Sequence, residues 1–314
     1  MSWRWPTVWR DERGGWWRVP LTLMLYVGGV VLGIALHTQA NISGLKEAIK
    51  SQPVHVQEIV PLIATILITG LGLVGCLVGI RFVHHKPLAR VFTDGRSFRF
   101  GLALQSATLW TLLWLGFTLP LPGAWEGLVR RTGEIPLAWW PIVFVVTLAA
   151  MIVGRTAEEV LFRGYLLTRL AAWVKRPWLA VAMVALSFSI VHRGNPAALT
   201  AITLFGIAWG AACIRAGTLA PMIGAHVVHD TLNVLLQPGD PNANASTTWS
   251  EVVFIAVALS VWFGWLFWTT RNTPADRIAQ QDHCTELPPS VAVSMRRIFR
   301  TLHSLTAPVP GGSR

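Results

Sequence analysis

The sequence predicts an all-α membrane protein, with about eight transmembrane helices surrounding a central polar cavity. Of its 314 residues, 53% are hydrophobic and only 13% are charged, whereas a typical soluble domain carries about 25% charged residues. The apolar residues form runs long enough to cross a hydrocarbon core of about 30 Å. Acidic and imidazole side chains interrupt these runs, and ionisable groups at membrane depth are costly enough to indicate function.

The apolar runs define the predicted helices. Five runs are each long enough for one crossing: 19–38, 60–83, 100–119, 137–168 and 251–270. The segment from 177 to 236 is also apolar, but it is broken at 192–196 and at 215–217, which predicts three shorter helices. We therefore expect eight helices.

Three regions follow from this count. We expect an N-terminal tail, a membrane domain whose polar core lies within 137–236, and a C-terminal tail; the bounds are 1–18, 19–270 and 271–314. The first apolar run lacks a clear small-x-small cleavage site and is interpreted as a retained anchor. In the C-terminal tail, apolar residues at helical spacing from Val291 to Leu305 are compatible with a basic surface helix or with disorder.

The positive residues predict the orientation. Of 26 Lys and Arg residues, 19 fall in the tails and turns that eight crossings place on one side, against five in the opposite turns. Since cytoplasmic segments are enriched in Lys and Arg, both termini are predicted to be cytoplasmic. No organelle address is visible, which favours a prokaryotic plasma membrane. The net charge of +11 is spread over loops rather than one face, which argues against a nucleic-acid partner.

The first polar motif is Thr156-Ala-Glu-Glu-Val-Leu-Phe-Arg163, at the end of the fourth run. Glu159 and Arg163 are four residues apart and are predicted to pair on one helix. Glu158 should point about 100° away and stay available for other chemistry. Arg155, three residues earlier, either pairs with Glu158 or faces the headgroups.

Two further motifs follow on separate helices. Phe188-Ser-Ile-Val-His192 is predicted to end the fifth helix. In the seventh helix, one face carries four polar residues that must turn inward because lipid cannot satisfy them; they are His226, His229, Asp230 and Asn233. The last of these is expected to hydrogen bond between helices.

The depths of these groups agree. At 1.5 Å per residue from the cytoplasmic helix ends, Glu158 lies about 16 Å deep, His192 about 22 Å and His226 about 14 Å. We therefore expect the three groups to meet in one buried cavity. A carboxylate beside a histidine there could act as a general base on water, or Glu158, His192 and His226 could ligate zinc; residue types alone leave both open.

Taken in order on three apolar helices, the motifs resemble those of the CAAX prenyl protease and bacteriocin-processing family of intramembrane endopeptidases. The resemblance covers roughly residues 137–236 and implies an eight-helix fold. It implies that Glu158 and His192 activate a water molecule and that Glu159 and Arg163 maintain the site. It also implies that His226 and Asp230 stabilise the oxyanion. The prenyl protease branch usually has Asn at the position of Asp230, so an acid there favours a metal or His-orienting role instead.

The predicted function is hydrolysis of a peptide bond in a membrane-associated or lipidated peptide or protein, with membrane lipid as the other partner. A divalent metal such as zinc is left open as a cofactor. Two alternatives are a proton-coupled transporter, since intramembrane Glu, His and Asp also build proton relays, and a non-proteolytic immunity or binding member of the same family. The sequence does not indicate an oligomeric state.

Overall fold

The computed structural model describes residues 15–40, 46–93, 98–118, 133, 135–174, 176–192, 194–236 and 247–270. The predicted C-terminal tail, for which a surface helix and disorder are both open, and most of the predicted N-terminal tail lie outside these ranges. Residues Trp3–Leu266 belong to one compact unit, which contains every candidate site residue. The last described residues, Phe267–Thr270, belong to a second unit.

The described residues form helices and no strands, apart from an isolated bridge between Thr93 and Thr218. We number the eight long helices in chain order: α1 Arg18–Ala40, α2 Val54–Val78, α3 Phe100–Thr118, α4 Trp140–Glu159, α5 Pro177–Ile190, α6 Pro196–Ala216, α7 Ala220–Leu236 and α8 Trp249–Thr270. Shorter helical segments are Lys46–Lys50, Ala89–Phe92 and Leu137–Trp139. The predicted all-α polytopic fold is confirmed.

Six helical segments of the described chain are long and apolar enough to cross a membrane: Arg18–Gln39, Ile59–Val83, Phe100–Thr118, Leu137–Val174, Pro196–Ala216 and Trp249–Thr270. They contain α1, most of α2, α3, α4, α6 and α8. Helix α5 is apolar but has only 14 residues, and α7 has 17. The structure thus supports an integral membrane protein, while the count of eight crossings stays a prediction.

The predicted breaks around α6 are present and have local causes. Helix α6 begins with Pro196, and the Asn195 side chain caps it by accepting a hydrogen bond from the Ala198 amide at 2.8 Å. Proline suits this first position because the amide it lacks would have no helical partner. Helix α6 ends at Gly217, whose φ of 65° is left-handed, a conformation that glycine adopts without strain. Short links therefore hold α5, α6 and α7 together.

Helix α4 changes its winding immediately after the two glutamates. Residues Val160–Leu167 form a π-helix, and an α-helix resumes over Thr168–Val174. Seven of the eight π-helical residues are buried. Short π-helical segments are rare and often accompany functional sites. The apolar run 137–168 predicts an ordinary α-helix here, since no local residue pattern marks a π-helix.

Helix α7 packs between α3 and α4. A Cβ atom at Gly224 would lie 2.1 Å from the carbonyl oxygen of Ala103, so glycine is required for this close approach of α3 and α7. The Ser106 hydroxyl donates to the Pro221 carbonyl at 2.6 Å, and it accepts from Trp262 Nε1 at 2.8 Å. These contacts hold α7 closely against α3.

Candidate active site between helices α4 and α7

Glu159, Arg163 and His226 form a buried ionic cluster. Glu159 and Arg163 are both 0% exposed, and Arg163 Nη1 donates to Glu159 Oε1 at 3.2 Å. His226 Nδ1 lies 2.9 Å from the same oxygen. Because a carboxylate oxygen accepts, Nδ1 carries the hydrogen. The predicted Glu159–Arg163 pair is confirmed, and its burial explains why both charges have partners.

Glu158 is held by Arg155, which is one of the two alternatives predicted for this arginine. The Arg155 guanidinium contacts Glu158 Oε1 through Nη1, and its Nε lies 2.6 Å from Asp230 Oδ2 on α7. The physical reason is the helix itself: α4 is α-helical as far as Glu159, which places residues three apart on the same face. Arg155 thus joins two acids from different helices.

His226 also faces the second pair of acids. Its Nε2 lies 3.4 Å from Asp230 Oδ2 and 3.7 Å from Glu158 Oε2. Glu158 Oε2 is buried and accepts no hydrogen bond from the described residues. The Glu158 and Asp230 side chains are 19% and 21% exposed, in contrast to Glu159. The accessible side of the cluster is therefore formed by Glu158 and Asp230.

Aromatic rings close the other side of the cluster. The Arg163 guanidinium carbon lies 4.2 Å from the centre of the Phe188 ring, a cation–π geometry. The Trp209 ring from α6 lies 4.4 Å from the His226 ring. Phe188 and Trp209 are 3% and 1% exposed. The sequence reading missed Trp209, since one tryptophan in an apolar helix gives no signal of its partner.

His192 lies two residues beyond the end of α5 and reaches the cluster through Phe188. Its Nδ1 is 2.6 Å from the Phe188 carbonyl oxygen, so Nδ1 donates and Nε2 is left as the acceptor of the neutral ring. The two rings lie 4.5 Å apart, and Phe188 in turn lies 6.5 Å from His226. Within the described chain, no hydrogen bond or ion pair joins His192 to Glu158 or His226.

The remaining polar residues of α7 extend the same face. His229 Nε2 lies 3.2 Å from Asn233 Nδ2 and 4.0 Å from Asp230 Oδ1. Trp114 Nε1 on α3 donates to Asn233 Oδ1 at 3.1 Å, which confirms the expected bond between helices. The four polar residues of α7 therefore share one face, as the spacing predicted.

The residues of the site do not fit a metal ion in this arrangement. Among the described side chains, no three His, Cys, Asp or Glu are placed to hold one. The predicted zinc ligands Glu158 and His226 are near each other, but the described contacts of His192 all go to Phe188. The cation between Glu158 and Asp230 is Arg155.

The fold and this cluster define an integral membrane protein with an acid and imidazole site between two packed helices. Residues 136–232 match the family described as type II CAAX prenyl endopeptidase Rce1-like, which confirms the resemblance of the three motifs. The match runs from α4 to α7 and includes every candidate site residue. At the level of the family it supports a CAAX-type endopeptidase-like function.

One relative is similar to this chain over a longer stretch than the family match. An uncharacterized protein of Bacillus subtilis (strain 168), YyaK, is 24% identical over 237 residues, which cover 68% of this chain and 75% of that protein. No solved structure matches the chain.

Proposed function

We propose that this protein is an intramembrane endopeptidase that hydrolyses a peptide bond of a membrane-associated peptide or protein. One observation carries the proposal: Glu158 Oε2 is buried, accepts no hydrogen bond from the described residues, and faces His226 Nε2 at 3.7 Å. An acceptor so placed suits the activation of water. The family match of the surrounding segment supports the same reaction class.

In the proposed reaction, Glu158 Oε2 takes a proton from a water molecule whose oxygen attacks the carbonyl carbon of the substrate. Negative charge then develops on the carbonyl oxygen. Glu158 returns the proton to the amide nitrogen as the carbon–nitrogen bond breaks. The products are a carboxylic acid and an amine, so no further reactant is needed.

His226 is the proposed electrostatic partner of the oxyanion. Both of its ring nitrogens face carboxylates, Nδ1 towards Glu159 and Nε2 towards Asp230, an arrangement that suits a donor rather than an acceptor. A donor held in place before the reaction lowers the barrier without reorganisation. Asp230 then orients the His226 imidazole. The prenyl protease branch usually has Asn at this position, and an acid there favours this orienting role.

His192 is the proposed second acceptor for the water molecule. Its Nδ1 is committed to the Phe188 carbonyl, so Nε2 offers a lone pair of fixed direction. Because His192 makes no direct bond to Glu158 within the described chain, we expect its removal to cost less than removal of Glu158.

The proposed substrates include lipidated chains, since the site lies inside apolar helices and the matched family is named for prenyl endopeptidases. We further propose that the protein resides in a prokaryotic plasma membrane with both termini in the cytoplasm.

The experiment compares hydrolysis by the purified protein in liposomes, using a farnesylated peptide ending in Cys-aliphatic-aliphatic-X and its unmodified counterpart. General acid–base catalysis contributes about 10²–10⁴-fold, so we expect a loss of about that size in Glu158→Gln. We expect a smaller loss in His192→Gln. Glu251→Gln, at the start of α8, is the matched control. Unchanged hydrolysis in Glu158→Gln contradicts the proposal.

A proton-coupled transporter is the second candidate, because the acids and His226 form a continuous charged array between α4 and α7. The same liposomes, loaded with a pH-sensitive dye, separate the two functions. Proton flux that depends on Glu158, without cleavage of either peptide, would favour the transporter. If the liposomes show no proton flux and no cleavage, the result favours a non-proteolytic immunity or binding role.

A further inference from the structure

We propose that Arg155 is a positioning residue: a fixed cation that bridges Glu158 and Asp230 and holds them ready for the proposed hydrolysis. This inference rests on the proposed function. Arg155 belongs to none of the three motifs that carry the family resemblance. Its assignment comes from its contacts alone, which join α4 to α7 across the accessible side of the site.

The two ends of the guanidinium have different partners. Nη1 contacts Glu158 Oε1 on the same helix, and Nε lies 2.6 Å from Asp230 Oδ2 on the facing helix. Arginine can contact two carboxylates at once because its charge is spread over a rigid plane of three nitrogens. Lysine has one nitrogen at its tip and cannot reproduce both directions, so this position distinguishes the two side chains.

The bridge determines which oxygen of Glu158 remains available. With Oε1 held by Arg155, Oε2 is the oxygen that faces His226. The side chain therefore cannot rotate freely, and the proposed base is presented in one direction. Fixing the geometry before the reaction accounts for a large part of a catalytic rate. Displacing a reacting group by about 1 Å can lower that rate about 10²-fold.

The charges of the cluster also require Arg155. Three carboxylates, Glu158, Glu159 and Asp230, face two guanidiniums, Arg155 and Arg163, and the cluster is neutral when the imidazole between them carries both protons. Uncompensated charge is costly in a low-dielectric interior. Arg155 thus supplies the positive charge between Glu158 and Asp230.

The first test is kinetic, in the liposome assay with the farnesylated peptide. In Arg155→Ala we expect kcat to fall about 10–100-fold with KM within twofold of the wild-type value, because positioning rather than binding is lost. Added methylguanidinium should restore activity more than methylammonium, and Arg155→Lys should retain less than one-tenth of wild-type kcat. Wild-type kcat in Arg155→Ala, or equal effects of the two cations, would overturn the inference. Arg90→Ala, at an exposed arginine, is the control.

The second test does not depend on activity. Thermal unfolding in detergent is measured for Arg155→Ala, Asp230→Asn and the double variant. If the bridge exists, the double variant lowers Tm by less than the sum of the single variants. Additive shifts overturn the bridge even if peptides are cleaved. Coupled shifts without any cleavage by the wild-type protein leave the bridge intact and reject the proposed function instead.

Discussion

Breaking the buried pair of Glu159 and Arg163 should destabilise the protein more than any surface substitution. Both side chains are 0% exposed, and removal of one partner of a buried ion pair costs about 3–5 kcal/mol because the other charge is left uncompensated. The two single variants are not equivalent. In Arg163→Met, Glu159 still accepts from His226 Nδ1, so we expect the lower end of this range. In Glu159→Gln the guanidinium loses its carboxylate, and we expect the upper end.

The corresponding change in melting temperature is large enough to measure. At about 2–4 °C per kcal/mol for chains of this size class, the single variants should melt about 6–20 °C below the wild type. The double variant Glu159→Gln/Arg163→Met should recover at least half of the worse single loss, because no unpaired charge remains. Intrinsic fluorescence from the 17 tryptophans can follow unfolding in detergent. Glu251→Gln, outside the site, should cost about 1 kcal/mol at most.

Two results would refute this reasoning. Strictly additive losses in the double variant would mean that the two side chains act independently, contrary to their 3.2 Å contact. Single losses no larger than that of Glu251→Gln would mean that the pair is solvated. Either result would also remove the argument that Glu159 maintains the site rather than taking part in the chemistry.

Three further predictions concern the neighbouring residues. Hydrolysis should persist in a strong chelator, because an arginine already bridges the two accessible acids; activity lost to the chelator and restored by zinc would contradict this. Trp114→Phe should lower stability by about 0.5–1.5 kcal/mol by removing the bond to Asn233, and an unchanged Tm would count against that bond. Phe188→Leu should lower kcat by more than the loss of folded protein explains, because the ring contacts the His192 ring and covers the Arg163 guanidinium. A loss of kcat that the lowered Tm fully explains would indicate a purely structural role.

Spacing within a single helix predicted the local contacts of the site. His226 and Asp230, four residues apart on α7, contact each other, and Glu159 and Arg163 do so across the α-to-π junction of α4. Helix periodicity fixes such pairs regardless of the rest of the fold. Proline and glycine likewise marked the ends of α6, since their backbone preferences act locally.

Contacts between helices could not be predicted in the same way. The sequence offered Arg155 two alternatives and did not indicate Asp230, because the choice depends on how α4 and α7 pack. The direct approach of His226 to Glu159 is of the same kind. The three-helix convergence was predicted from depth alone, and depth does not specify rotation about the helix axis. In the structure α4 and α7 contact each other directly, whereas His192 reaches the cluster through Phe188.

The two adjacent glutamates show how one fold gives identical side chains different tasks. Successive residues of an α-helix point about 100° apart, so Glu159 turns into the aromatic interior and Glu158 towards the accessible side. The Glu159 side chain is 0% exposed and its Oε1 contacts both Arg163 and His226, whereas the Glu158 side chain is 19% exposed. Each acid keeps its Oε2 without a described hydrogen-bond partner. Exposure therefore distinguishes the two acids, since only Glu158 lies on the accessible side of the cluster. We therefore expect Glu158 to be the acid that does chemistry, and replacing each Glu by Asp would test this, because a shortened Glu159 should alter stability and a shortened Glu158 should alter turnover.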